Sequence, residues 1–187
     1  MRPLLLLGVA AVLAGCASAP GDRGPLSAGA ELKDKEGKQV GAATLIETPE
    51  GVRIAVTGYR LPPGSHGLHI HAVGLCEPPE FTSAGAHLNP TGKQHGRLNP
   101  AGPHVGDLPN LVIAASGEGG IDVTTKAFTL SRSPVTLLGD KGTSLVVHAN
   151  ADDYKSDPAG NAGDRIACGV IQPSGAGGTG GTAPATK

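Results

Sequence analysis

Alternating apolar and polar residues predict two β-hairpins in the middle of the chain. The alternation in AATLIETPEGVRIAVTGY surrounds a Pro-Glu-Gly turn, and NLVIAASGEGGIDVTTKAFTL repeats the pattern around GEGG. Two short apolar runs, TSLVVHAN and RIACGVI, are typical of buried strands, and no segment shows a long helical period. The pattern therefore predicts an all-β domain, an antiparallel sandwich or flattened barrel.

The two ends of the 187-residue chain depart from this pattern. MRPLLLLGVAAVLAGCASAP has one early positive charge, an apolar run too short to span a bilayer, and small residues before Cys16, as a secretory signal has. We expect residues 1–15 to be the signal peptide and residues 16–27 to be a tether. Residues 173–187, rich in Gly, Thr, Ala and Pro, are expected to form a disordered tail. The remaining residues, 28–172, have the size of one domain.

Composition and charge narrow the function. The formal net charge of −1 favours neither a nucleic-acid binder nor a polybasic membrane binder. Only two Tyr and two Phe are present, so the core must consist mainly of Val, Ile, Leu and Ala, which suit β-strands. Any attraction of a charged substrate must then come from local charge.

Histidines are the main candidates for chemistry. Six of the seven, joined by one aspartate, form a set rich enough to bind two metal ions: His69, His71, His87, His95, His104, Asp107 and His148. Residues i and i+2 of a strand project to the same face, so His69 and His71 in HGLHIHAVG can offer two imidazoles to one ion. This pair alone is weak evidence, because histidine pairs also occur on solvated strand faces.

Four of these residues lie in GAHLNPTGKQHGRLNPAGPHVGDLPN, which is too rich in Gly, Pro and Asn to form a helix or a long strand. We expect one long ordered loop, which is uncommon in a compact domain unless something pins it. Its three imidazoles and one carboxylate are a standard tetrahedral set for zinc. The alternative is a flexible surface loop with incidental histidines.

Five motifs closely resemble the copper/zinc superoxide dismutase family in their order and spacing: HGLHIHAVGLCE, SAGAHLNP, HVGDLPN, LVVHANADD and GNAGDRIACGVI. The resemblance spans roughly residues 28–172. It implies an eight-stranded antiparallel Greek key β-barrel with long metal-binding and electrostatic loops. It also implies the copper ligands His69, His71, His87 and His148 and the zinc ligands His87, His95, His104 and Asp107, so that His87 is shared by the two metals.

The activity that the resemblance implies is superoxide dismutation. Two superoxide anions become dioxygen and hydrogen peroxide as copper is alternately reduced and oxidised, with zinc structural and His87 changing its protonation. An all-histidine site suits copper in both of its common oxidation states. The alternative is an exported copper/zinc-binding or copper-buffering lipoprotein with little catalysis. Loss of copper ligands or of the active-site arginine would favour that alternative, and this chain has lost none.

Arg165 matches the family's arginine that attracts and orients superoxide. An isolated arginine would more often form a surface ion pair, here with a neighbour such as Asp164. The segment between His148 and Arg165 is shorter than in the well-known eukaryotic members and carries Ala159 where those have a threonine. Lys155 is a hypothetical source of steering charge in its place.

Two other positions match supporting roles in the family. Asp152 matches the carboxylate that joins a copper-ligand histidine to a zinc-ligand histidine, which we expect to be His69 and His95. His66, the seventh histidine, matches a structural position and is assigned no metal.

The three cysteines bear on location. Cys76 and Cys168 match the family's intrasubunit disulfide, which implies an oxidising compartment; two buried free thiols are the alternative. LAGC resembles the bacterial lipobox, which would make Cys16 a lipidated N-terminal residue after cleavage, with a plain signal peptide as the alternative. We therefore expect an exported protein, lipid-anchored in the bacterial cell envelope and facing the periplasm from the outer membrane if the host has one. The resemblance allows either a monomer or a homodimer.

Overall fold

The structure, a computed structural model, describes residues 26–174. The expected signal peptide, Cys16 and most of the expected tail lie outside these residues. The elements are β1 (Ser27–Asp34), β2 (Gln39–Thr48), β3 (Gly51–Tyr59), β4 (Gly64–His66), β5 (Leu68–His71), a short 3-10 helix (Thr82–Ala84), β6 (Leu111–Ile113), β7 (Glu118–Thr125), β8 (Thr143–His148) and β9 (Arg165–Pro173). The expected all-β fold is confirmed.

The nine strands within residues 26–174 form one antiparallel sheet in the order β4-β6-β7-β3-β2-β1-β9-β8-β5. Its two edge strands, β4 and β5, are separated in sequence only by Gly67, so the sheet is nearly closed into a barrel. The backbone amide of Gly67 donates to the carbonyl of Asn150 and its carbonyl accepts from the amide of His148, both at 2.8 Å. Counted as one interrupted strand, β4 and β5 give the expected eight. The β3–β4 and β7–β8 connections join strands that are not neighbours, as in a Greek key.

The first predicted hairpin is confirmed, since β2 pairs with β3 along its length. The predicted position of the second turn was wrong. The turn covers residues 114–117, and most of GEGG lies in β7. Gly119 and Gly120 are strand residues where a Cβ would collide with the carbonyl oxygens of Val112 and Val56. These glycines therefore allow close strand contact rather than a turn. The apolar runs TSLVVHAN and RIACGVI form β8 and β9, as predicted.

The core fills the barrel and consists mainly of aliphatic side chains, as the composition predicts. Its most buried members include Leu32, Leu45, Ile54, Leu68, Ile70, Leu111, Leu137 and Leu145. Alternation along β3 sends every second residue inward, so one face of that strand is buried and the other is not. In β5 and β8, by contrast, every residue is buried. Something must therefore cover the outer face of these two strands.

Two long loops lie near the outer face of β5 and β8. We call residues 85–110 the histidine loop and residues 149–164 the C-terminal loop. The histidine loop contains no helix or strand, as predicted, and touches β5 through isolated bridges that pair His69 with Asp107 and His71 with His87. No helix within residues 26–174 is long and apolar enough to cross a membrane.

Candidate metal centre

The outer face of β5 and the end of β8 bring the first group of histidines together. His69 and His71 alternate with the core residues Leu68 and Ile70, so both imidazoles face outward beneath the loops. His148 ends β8, and the bridge to His71 brings in His87. One ligand atom from each of the four histidines lies within 4.8 Å of the others. We call His69, His71, His87 and His148 the copper set.

Hydrogen bonds determine which nitrogen each histidine of the copper set presents. His71 Nδ1 donates to the Gly85 carbonyl at 2.9 Å, and His148 Nδ1 donates to the Gly163 carbonyl at 2.9 Å. His69 instead donates from Nε2, to Asp152 Oδ2 at 3.0 Å. The opposite nitrogens face one another.

These inward nitrogens are buried but lack partners. Five buried side-chain polar atoms in residues 26–174 have no hydrogen-bond partner, and four belong to the copper set: His69 Nδ1, His71 Nε2, His87 Nε2 and His148 Nε2. The fifth is Ser144 Oγ. Unpartnered buried polar atoms are rare, because each costs a desolvation penalty. Four that converge fit a metal ion with nitrogen ligands.

The protonation of the copper set also suits a metal. Burial lowers the pKa of His69 to about 4, of His71 to about 2 and of His148 to about 3. At neutral pH these imidazoles are therefore uncharged, and each keeps a lone pair on its inward nitrogen. Metal ions bind the neutral form of histidine.

A second group converges on Asp107. The Nδ1 atoms of His87, His95 and His104 lie 3.1, 3.1 and 3.3 Å from Asp107 Oδ1. We call these four residues the zinc set, because three imidazoles and one carboxylate match a tetrahedral zinc site. His69 also lies within 4.8 Å of three members of this set, but its Nδ1 faces the copper set. His87 belongs to both sets, with Nδ1 facing the zinc set and Nε2 facing the copper set.

The charges in the zinc set support one another. Burial raises the pKa of Asp107, but hydrogen bonds from His87, His95 and the Gly96 amide outweigh burial and hold that pKa well below its usual range. Burial likewise lowers the pKa of His95, and its hydrogen bonds to Asp107 and Asp152 raise it to about 9. Without a metal, His95 is therefore the cation that balances these carboxylates.

Asp152 hydrogen-bonds to one histidine from each side of the centre. It is buried, and its two oxygens accept hydrogen bonds from His69 Nε2 at 3.0 Å and His95 Nε2 at 2.9 Å. Asn110 holds its backbone from both sides, accepting from the Asp152 amide at 2.9 Å and donating to the Asp152 carbonyl at 3.0 Å. Sequence reasoning missed Asn110, since its partner lies 42 positions away.

Arg165 lies at the start of β9 beside the copper set. It donates to the Phe81 carbonyl at 2.6 Å and to the Gly85 carbonyl at 2.7 Å. The Gly85 carbonyl also accepts from His71, so one oxygen connects the arginine to the copper set. No ion pair joins Arg165 to Asp164 within residues 26–174.

The remaining predicted residues belong to neither set. Cys76 and Cys168 form the expected disulfide. His66 is buried, with its two ring nitrogens 2.8 Å from the carbonyl oxygens of His148 and Pro62, so it holds backbone rather than metal. Lys155 is exposed and Ala159 is half-buried.

Known proteins resemble the chain in both sequence and structure. A family model described as copper/zinc superoxide dismutase (SODC) matches residues 39–171. Copper-zinc superoxide dismutase 2 of Aquifex aeolicus is 50% identical over 149 residues, covering 79% of this chain and 87% of that protein. A solved superoxide-dismutase-like protein from Bacillus subtilis is 39% identical with a TM-score of 0.74, covering 77% of this chain and 97% of that chain. The copper/zinc superoxide dismutase from Brucella abortus is 32% identical with a TM-score of 0.65, covering 78% and 99%.

Proposed function

Because this chain belongs to the copper/zinc superoxide dismutase family, it is an oxidoreductase that acts on superoxide with copper and zinc, and we propose which residues hold each metal. The copper set, His69, His71, His87 and His148, holds copper. The zinc set, His87, His95, His104 and Asp107, holds zinc. The observation that carries this assignment is the convergence of four buried, unpartnered histidine nitrogens in the copper set.

The residues around the sets account for how the ligands are held. Hydrogen bonds from the outer nitrogens to Asp152 and to the carbonyls of Gly85 and Gly163 orient the rings before any metal binds. When bound, copper supplies a one-electron redox couple and zinc supplies a fixed positive charge. The reaction converts two superoxide anions and two protons into dioxygen and hydrogen peroxide.

His87 and Arg165 have the roles closest to the substrate. His87 presents Nε2 to the copper set and Nδ1 to Asp107, so Nε2 is the atom that would carry a proton to the peroxide product whenever it is not bound to copper, since its one lone pair can hold only one of the two. Arg165 carries a permanent charge on a guanidinium fixed by two carbonyls. It attracts and orients the superoxide anion.

The first test is superoxide dismutation by the copper- and zinc-loaded protein beside its His148→Ala variant, with bound metals measured in both. We expect rapid turnover in the wild type, and loss of both copper and activity in the variant with zinc retained. Slow turnover by a wild-type protein that holds one copper and one zinc would favour the copper-buffering alternative. Full copper occupancy in His148→Ala would contradict the ligand assignment.

We further propose that the chain is exported and lipid-anchored through Cys16. The signal-like segment and LAGC support this location, and the Cys76–Cys168 disulfide fits an oxidising compartment. Labelling bacteria that express the full chain with a fatty-acid analogue tests it. We expect the wild type to incorporate label and Cys16→Ala to incorporate none. Equal labelling of the two proteins would exclude this anchor.

A further inference from the structure

Asp157, in the C-terminal loop, contacts two histidines of the zinc set without belonging to that set. Its Oδ1 accepts a hydrogen bond from the backbone amide of His95 at 2.6 Å. The same oxygen lies 3.8 Å from Nε2 of His104. One carboxylate therefore lies beside both His95 and His104, whose Nδ1 atoms face Asp107.

The outer nitrogens of the zinc set explain why that position matters. Each histidine turns Nδ1 toward Asp107, so its Nε2 faces away from the metal position. His87 Nε2 faces the copper set, and His95 Nε2 donates to Asp152. For His104, Asp157 provides the only carboxylate within 4.0 Å of Nε2 among residues 26–174.

We propose that Asp157 is a positioning residue for zinc binding, acting on His104 through Nε2 and on His95 through its backbone amide. The inference rests on the zinc ligands proposed above. A carboxylate beside the outer nitrogen of a metal-binding histidine fixes the tautomer and orientation of the ring and raises its basicity. Asp157 lies beyond hydrogen-bond distance of His104 Nε2, so it acts on that ring through its negative charge, and it holds the His95 backbone by a hydrogen bond. Like Asp152, it comes from the C-terminal loop.

Other contacts hold the two loops together without Asp157. The Tyr154 carbonyl accepts from the Leu98 amide at 3.0 Å, and Tyr154 Oη accepts from the Asn110 amide at 2.8 Å. The guanidinium of Arg97 also lies 4.1 Å from the centre of the Tyr154 ring. Replacing Asp157 should therefore affect the zinc set locally while the C-terminal loop stays in place.

The test compares Asp157→Ala, Asp157→Asn and Asp153→Asn in the full chain. Asp153 is the matched control, because it lies in the same loop and accepts from the Lys155 and Ser156 amides but contacts no histidine. Two quantities are measured: the zinc dissociation constant, by competition with a chromophoric chelator, and the visible absorption spectrum of Co²⁺ bound in place of zinc.

We expect Asp157→Ala to raise the zinc dissociation constant about 10-fold, at the lower end for such partners, because Asp157 is half exposed and 3.8 Å from His104 Nε2. Asp157→Asn should raise it less, since an amide oxygen can still accept from the His95 amide. Both variants should alter the Co²⁺ spectrum, and Asp153→Asn should leave it unchanged.

Equal dissociation constants and spectra in the wild type and Asp157→Ala would overturn the role of Asp157 alone. An equally large loss of zinc affinity in Asp153→Asn would also overturn it, because any change in the C-terminal loop would then have the same effect. A wild-type protein that does not bind zinc would overturn both this role and the zinc ligands.

Discussion

Hydrogen bonds made by single residues select the nitrogen that each histidine offers to a metal. His71 and His148 donate from Nδ1 to backbone carbonyls, which leaves Nε2 free, whereas His69 donates from Nε2 to Asp152, which leaves Nδ1 free. Residue type alone does not specify this choice, because both ring nitrogens are chemically able to bind a metal. The carbonyl of Gly85 has a second function, since it also accepts from Arg165.

Replacing Arg165 tests its role at the substrate. We expect Arg165→Ala to lower kcat/KM by roughly 10-fold or more with full metal content, because the steering charge and oriented donors are lost. Arg165→Lys should recover part of the rate, since it keeps the charge but not the two-carbonyl geometry. The rate of Arg165→Ala should depend less on salt than that of Arg165→Lys. Identical rates and salt dependence in the two variants would argue against steering by this side chain.

Gly160 allows Asp152 to reach His95. A Cβ at this position would collide with Asp152 Oδ1 and lie 2.7 Å from His95 Nε2. We expect Gly160→Ala to break that hydrogen bond and to weaken zinc binding about 10- to 100-fold. Gly92→Ala is the matched control, because Gly92 has the same φ of 63° but a Cβ there would have no atom within 4 Å. Zinc titrations of both variants separate the collision from the backbone cost, and equal affinities would contradict the expectation.

At the scale of elements, the centre depends on one short strand and the loops that cover it. β5 places His69 and His71, and its pairing with β8 brings His148 beside them. The histidine loop is irregular because Gly, Pro and Asn prevent a long strand, yet it is held by hydrogen bonds to β5. A second small cluster, with Phe81 and Cys168 among its members, lies beside the disulfide that joins the segment after β5 to β9.

The disulfide should contribute substantially to stability. It joins residues 92 positions apart. Closing a loop of that length lowers the entropy of the unfolded chain, which raises the free energy of the unfolded state by about 4 to 5 kcal/mol. We expect the metal-free Cys76→Ser/Cys168→Ser variant to lose up to about that free energy of unfolding, measured with urea. Reduced wild-type protein should match the variant. A loss below about 1 kcal/mol would show that native strain or residual unfolded structure cancels the entropic effect.

At the scale of the whole molecule, burying six histidines together makes stability depend on pH. The folded state holds His69, His71 and His148 neutral, with pKa values lowered to about 4, 2 and 3. The unfolded chain protonates them near pH 6.5, so it binds more protons than the folded protein below that pH. His95 has the opposite sign: its stabilising contribution is complete below about pH 6.5 and is lost as pH rises through about 9.

The metal-free protein should therefore become less stable as pH falls from about 6.5 to 4. Calorimetric unfolding at about pH 5.5 in buffers of different ionisation enthalpy should show uptake of roughly three protons by His69, His71 and His148, with a further contribution from His104, whose pKa burial also lowers. The copper- and zinc-loaded protein, in which metals occupy these nitrogens, serves as the comparison and should take up its protons together with metal release. Unfolding of the metal-free protein without proton uptake would contradict neutral histidines in the folded state.

Much of the fold followed from local pattern, and the rest required long-range contacts. Alternation located the β2–β3 hairpin, because inward and outward residues differ in polarity along a half-buried strand, and short apolar runs located the buried strands β8 and β9. The same reasoning misplaced the second turn. Two glycines of GEGG allow close strand contacts with Val112 and Val56, and a local pattern does not show such contacts. The sequence also did not predict the interruption between β4 and β5 at Gly67, because the hydrogen bonds of Gly67 go to β8 and to Asn150.

Residue type and spacing along the chain were enough to show six histidines and Asp107 in a set able to bind two metals, and the resemblance of five motifs to the family added the arginine before the last strand and the cysteine pair. These features can be recognised from the order of residues alone. The folded chain was needed to show which nitrogens remain without partners, that Asn110 holds Asp152, and that Asp157 faces His104. Those features are set by packing of the two loops on β5 and β8, where groups tens of residues apart meet and the backbone carbonyls become the partners.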